Sequence, residues 1–323
     1  MAAGFVVLML SGCAARQPPP AARGRLPAGP PVGDGGTLRV DVGPPGARRI
    51  APVTLDAYVR DVVVSEIAVA AADGALAGAV YEAQAIVART YAVRGRGRHA
   101  AEGFDLCATT HCQVFRRDAW RASRWAQVID QAVARTRGLV LAWDGRPIEA
   151  VFHAHCGGHT SAAADVWRGG SAPYLQAVAD PYCVRERPAR WSWRTALDDL
   201  RLTLNGRPRT SVGTRLDGIQ VVRRDAGGRA SDVLLAGDRA PVVSGEDMRL
   251  AILARHGAAT LQSTRFDVRR AGAAVVFDGA GAGHGVGLCQ IGLIGRVRAG
   301  QRAVAILETY YPGARVMRLS GLT

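Results

Sequence analysis

Two short stretches of this 323-residue chain gather side chains that bind metals or act as nucleophiles. "FDLCATTHCQVF" (104–115) carries Cys107, His111 and Cys112, and "FHAHCGGHT" (152–160) carries His153, His155, Cys156 and His159. With His99 upstream, the first set offers two thiolates and two imidazoles, the donors of a closed tetrahedral zinc site. The same two cysteines are also compatible with a disulfide in an oxidising compartment, or with buried thiols of no role. In the second set His153 and His155 alternate, so on a strand they share a face, while His159 lies beyond the Gly157-Gly158 turn. A three-histidine metal site or a Cys156 nucleophile with His284 as its base are the chemical options there.

Acid chemistry needs a carboxyl group in apolar surroundings, which raise its pKa. The helical stretch 75–98 supplies one acidic side chain, Glu82, beside Val80, Tyr81, Ala83 and Ile86. Gln84 and Arg89 lie on the same helix. Glu66 in "VVSEIAV" is a weaker substitute for Glu82, and Glu149 in "GRPIEAVF" weaker again.

The elements that must position these residues are legible in outline. "TLRVDV" (37–42) alternates as a strand, and 51–69 reads as a strand leading into a helix. The stretch 75–98 lacks proline, is rich in good helix formers and ends in arginines. A further helix precedes a hairpin turning at Asp144-Gly145. Texture changes over 191–269, where short strands, turns and one helix alternate; this reads as a subdomain inserted into the main core. The core, 37–190, then resumes over 270–323 with a strand, a Gly-rich loop and helices. Helices and strands mix without a regular βαβ alternation, which predicts an α+β fold.

The first residues indicate where the chain works. Phe5–Leu10 is a short apolar run, too short to span a bilayer and suited to a signal peptide. Leu10-Ser11-Gly12-Cys13 follows, the pattern of a lipoprotein processing site that would make Cys13 the lipidated first residue after removal of 1–13. Residues 14–36, rich in Pro, Gly and Ala, read as a flexible tether. An exported, membrane-anchored protein facing the periplasm or cell wall is expected. The 41 basic residues are all arginine and give a formal charge of +14. They are scattered, without the basic stripe and interleaved aromatics of a nucleic-acid binder, so an anionic wall or membrane surface is the expected partner.

Five motifs in order, "EAQAIVARTYAV", "THCQVF", "ARTRGLVLAWDGRPIEAVFHAHCGGHT", "PYLQAVADPYC" and "GAGHGVGLCQIG…ILETYYPGA", resemble the family of stage II sporulation protein D and the LytB amidase modifier. The resemblance runs from about residue 38 to 318. It implies one of two activities. The first is lytic transglycosylation of peptidoglycan glycan strands stripped of their stem peptides; the second is stimulation of a cell-wall amidase without catalysis. It also implies a structural zinc from His99, Cys107, His111 and Cys112 beside the catalytic helix, near Gln113. The catalytic glutamate of the resembled enzymes aligns with Ala79, and Glu82 is expected to have taken over its role. Gln84, Arg89, Gln113, His153, His155, His159 and His284 are the expected substrate-binding residues, with the glycines around His284 giving a glycan strand close access to the backbone. Cys156 is expected to pair with Cys183 as a disulfide, leaving Cys289 free.

Overall fold

The computed structural model describes residues 36–321 except 45 and 188. Cys13 and nearly all of the expected tether lie outside the described residues. The first half runs β1 (Thr37–Asp41), β2 (Ile50–Thr54), α1 (Leu55–Glu66), α2 (Gly74–Arg94), β3 (Leu106–Cys107), α3 (Ala126–Arg135), β4 (Leu139–Trp143), β5 (Arg146–Pro147) and β6 (Phe152–His153). Two short helices, α4 (Ala163–Val166) and α5 (Pro181–Glu186), lead to β7 (Arg190–Ala196) and α6 (Leu197–Asn205). Then follow β8 (Leu216–Arg224), β9 (Ala230–Gly237), β10 (Val242–Ser244), α7 (Gly245–His256), β11 (Phe266–Ala271) and β12 (Ala274–Ala280). The chain closes with β13 (Leu288–Cys289), α8 (Gln290–Arg298), α9 (Ala303–Tyr310) and β14 (Arg315–Arg318). The fold is α+β, as expected.

The centre is α2. Apolar residues occupy nearly every face of its 21 residues, and only a helix surrounded by protein sustains such a surface. It is ringed by α1, α3, β4, α8 and α9. β1 joins β2 antiparallel and β3 parallel, with Val40 opposite Leu106. β4 lies between β14 and β5, and the β4–β5 hairpin turns at Asp144-Gly145 with φ of 49° and 68°. Two consecutive left-handed residues make the tight turn the Asp-Gly pair predicts.

A second hydrophobic core runs from Trp191 to Phe277, built on the sheets β11-β12-β7 and β10-β9-β8 with α6 and α7. The sequence reading ended this insert at 269. The observed core extends further because β12 pairs along its whole length with β7, from Ala274↔Ala196 to Ala280↔Arg190. The insert is joined to the main core by Arg229, which is 1% exposed and donates to the carbonyls of Cys156 and Gly283. Among the described residues, no helix is long and apolar enough to cross a membrane.

Candidate functional site

The 3-10 turns after α2 return His99 to β3 and the loop behind it, assembling the first four soft ligands. One donor atom from each of His99, Cys107, His111 and Cys112 lies within 4.8 Å of all the others. Cys112 Sγ is 3.4 Å from His99 Nε2 and 3.7 Å from His111 Nδ1, and Cys107 Sγ is 3.6 Å from His111 Nδ1. Zn–S and Zn–N bonds of ordinary length in tetrahedral geometry put sulfur and nitrogen about 3.6 Å apart. The four side chains fit a zinc ion. His99 presents its other nitrogen, Nδ1, to Glu102 Oε1 at 2.7 Å, the carboxylate–histidine arrangement that fixes a ligating ring. The contact with Cys112, then hydrogen bonds with His111 and Thr109, hold the Cys107 thiol down to about 3, while the same contact and burial push Cys112 up. Both cysteines are free thiols, so the Cys107–Cys112 disulfide is not formed.

Two residues past Cys112, the Val114 N–H donates to Glu66 Oε1 at 2.6 Å. Glu66 closes α1, half-buried, and among the described residues no arginine or histidine stands within ion-pair distance of it. Burial raises its carboxyl from the ordinary 4.5 to about 7, against the lowering effect of the Val114 hydrogen bond. Gln113, between ligand and donor, is 1% exposed, and its amide nitrogen and oxygen are both buried without partners.

Glu82 sits in different surroundings. Its Oε1 accepts from Arg135 Nε at 2.6 Å. The carboxylate is thus engaged in an ion pair with an arginine rather than with a backbone amide. Its helix is the interior of the fold rather than a cleft wall, and Ala79 packs half-buried against the main core. Arg89, 0% exposed, donates to the carbonyls of Thr136, Leu139 and Val133 and faces Asp56 at 3.5 Å. It holds α2 to α3 and β4 and cannot reach a glycan. Gln84, equally buried, accepts from Gln290 at 3.4 Å and ties α2 to α8.

The second stretch is also inward-facing. His153 bonds the Val286 carbonyl, and His155 lies against Cys183 and the Arg187 carbonyl. His159 is half-buried and bonds the Thr160 carbonyl. His284 spends both ring nitrogens on Phe152 O and Val286 N–H, and burial pushes its pKa down to about 4. It therefore cannot serve Cys156 as a base. The neighbouring glycines serve the fold: a Cβ on Gly285 would strike the Arg229 guanidinium, and one on Gly287 the Val151 carbonyl. Cys156 and Cys183 do not form the expected disulfide; both are free thiols beside a third, Cys289.

Residues 45–143 match the family described as stage II sporulation protein. This span holds Glu66, Glu82 and all four ligands of the first cluster. Over these residues the chain is similar to the stage II sporulation protein D/LytB family. It is 27% identical over 277 residues to stage II sporulation protein D of Bacillus subtilis, covering 82% of this chain and 74% of that one. It is 29% identical over 238 residues to an uncharacterised protein of Brachyspira hyodysenteriae, covering 73% of this chain and 60% of the relative. A third relative, the amidase enhancer of Bacillus subtilis, is 26% identical over 277 residues, covering 72% of this chain and 37% of its own length.

Glu66, the weaker substitute in the sequence, is the helix glutamate that burial and a backbone amide single out. Its signal was present: one charged residue closing an apolar run, in "VVSEIAV".

Proposed function

We propose that this protein, as a member of the stage II sporulation protein D/LytB family, is a lytic transglycosylase that cleaves peptide-stripped peptidoglycan glycan strands, with Glu66 as its acid. The observation that carries this reading is a half-buried carboxyl raised to about 7 and held by a backbone amide rather than by an arginine. Such a group is protonated near neutral pH and retains access to solvent on one side. Its proton passes to the glycosidic oxygen as the C1–O bond breaks. The carboxylate then takes the proton of the sugar's own 6-hydroxyl, whose oxygen closes on C1 to give a 1,6-anhydro end. No water and no second carboxylate enter the reaction.

His99, Cys107, His111 and Cys112 hold zinc in this proposal. With four protein ligands the ion has no open position, so its contribution is structural. It fixes the loop whose Val114 amide orients Glu66, and this links the metal to the acid.

The amidase-enhancer relative favours a second reading, a glycan-binding module that stimulates a cell-wall amidase without cutting. Incubating the protein with amidase-treated peptidoglycan separates the two. Release of 1,6-anhydro-muramyl products supports the enzyme; binding without products supports the module. Export and lipidation at Cys13 belong to the same proposal, and the mass of the N-terminal peptide from membrane-extracted protein tests them.

A further inference from the structure

A second cluster of metal-ligating side chains lies where the insert leaves the main core. Cys156, Asp180, Cys183 and Cys289 each present a ligand atom within 4.8 Å of the other three. All four residues are 0% exposed. They come from separate segments: Cys156 from the turn after β6, Asp180 and Cys183 from the start of α5, and Cys289 from the end of β13. Cys156 Sγ stands 3.3 Å from Asp180 Oδ2, near the about 3.5 Å that separates sulfur and oxygen ligands on one tetrahedral zinc.

The sulfurs lie in the main core, yet backbone donors converge on them. Backbone amides of Cys156 and Gly292 point at Cys289 Sγ at 3.2 and 3.3 Å, and that of Gly158 points at Cys156 Sγ at 3.3 Å. Amide donors stabilise sulfur's charged form. Tyr310 Oη donates to Asp180 Oδ2 at 2.6 Å, fixing the carboxylate, while Asp180 Oδ1 is buried without any hydrogen-bond partner. A buried carboxylate oxygen with no donor is costly unless something else binds it. Three thiolates and a carboxylate around a divalent ion leave two negative charges. Arg296, with Nε 3.6 Å from Asp180 Oδ1, and Arg229, bonded to the Cys156 carbonyl, stand ready to offset them. His155 is a neighbour rather than a ligand: its Nδ1 accepts from Gly157 N–H at 3.0 Å, leaving Nε2 to donate to Arg187 O.

We infer that Cys156, Asp180, Cys183 and Cys289 form a second, closed zinc site that staples the base of the insert. Three thiolates with one carboxylate in a dry tetrahedral cage suit zinc. The placement gives the ion its work. Cys183 precedes the strand that enters the insert and Cys289 follows the strand that leaves it, so one ion joins both ends of the lobe to the turn at Cys156.

Counting zinc in the intact full-length chain tests this, by native mass spectrometry and elemental analysis. The expected count is two per chain, falling to one in Cys107→Ser/Cys112→Ser and to one in Cys183→Ser/Cys289→Ser. A single zinc that survives Cys107→Ser/Cys112→Ser would still support the second site and count against the first. A single zinc lost entirely in Cys107→Ser/Cys112→Ser would overturn the inference, as would a disulfide among Cys156, Cys183 and Cys289 in a non-reduced peptide map. If Cys183→Ser/Cys289→Ser does not fold, cobalt-loaded Cys107→Ser/Cys112→Ser decides. Thiolate-to-cobalt charge-transfer absorption supports the site, and its absence refutes it.

Discussion

Two glutamates on adjacent helices meet opposite kinds of partner. Glu66 ends α1, where the chain turns away and a backbone amide meets the carboxylate; Glu82 lies mid-way along α2 and meets Arg135. An amide donor orients a carboxyl without supplying a full charge, so burial still raises Glu66 to about 7. At Glu82 the partner is instead a guanidinium, which forms an ion pair with the carboxylate. Apolar neighbours in the sequence are thus a poor guide to an acid, because the deciding partner arrives from an element remote along the chain. Arg135 is 53 residues from Glu82 and Val114 is 48 from Glu66.

The sharpest way to break this comparison is to remove one proton. Glu66→Gln keeps an acceptor for the Val114 amide and abolishes acid catalysis, so cleavage of peptide-stripped glycan is expected to fall by about two to four orders of magnitude. Glycan co-sedimentation is expected to stay intact. Cleavage at the parental rate would remove Glu66 from the mechanism and return attention to Glu82.

A pH series sharpens the same contrast. The reaction uses the protonated acid, so kcat/KM is expected to hold below about 7 and to fall about tenfold per pH unit well above it. Stability carries the matching sign. The native carboxyl binds its proton more tightly than the unfolded one, near 4.5, so the parent loses stability as pH rises from 4.5 to about 7. Glu66→Gln lacks that loss. Its melting temperature, measured beside the parent's, is expected to gain on it across this window and to run parallel above it. Parallel curves throughout would mean that Glu66 titrates like an ordinary glutamate.

Metal removal tests the link between the first cluster and Glu66. Cys112→Ser is expected to lower Tm by several degrees, because a structural zinc contributes folding energy directly. It is also expected to reduce cleavage below the melting range, since Val114 is two residues from the lost ligand. Unchanged Tm and activity in zinc-depleted Cys112→Ser would separate the metal from the acid.

Much of this architecture was legible in the sequence. The central helix was expected at 75–98 and is found at Gly74–Arg94, because a long run without proline and rich in helix formers has few alternatives. The Asp144-Gly145 hairpin followed from turn chemistry, and the first ligand set from donor types at close spacing. Direction was not legible. His153, His155 and Gln84 are expected to bind substrate, yet each turns inward toward a partner, at Val286, Cys183 or Gln290, that lies 28 to 206 residues away. The same distance hid the second cluster. Cys156 and Cys183 suggest a bridge, and only folding brings in Cys289 and Asp180.

The smallest expected effect belongs to Glu82→Gln, and its smallness is what the comparison requires. The Glu82–Arg135 pair is partly in solvent, with side-chain exposures of 28% and 51%. Pairs of this kind contribute about 0 to 1 kcal/mol, and glutamine retains an acceptor for the guanidinium. The substitution is therefore expected to shift Tm by no more than a few degrees and to leave cleavage within about threefold of the parent, a change under about 0.7 kcal/mol in the barrier. Measured beside Glu66→Gln on one glycan preparation, it controls for the loss of any helix carboxylate. A drop of a hundredfold or more in Glu82→Gln would mean that Arg135 releases Glu82 when glycan binds and that α2 carries the acid. A small change beside an inactive Glu66→Gln would place the chemistry at the end of α1.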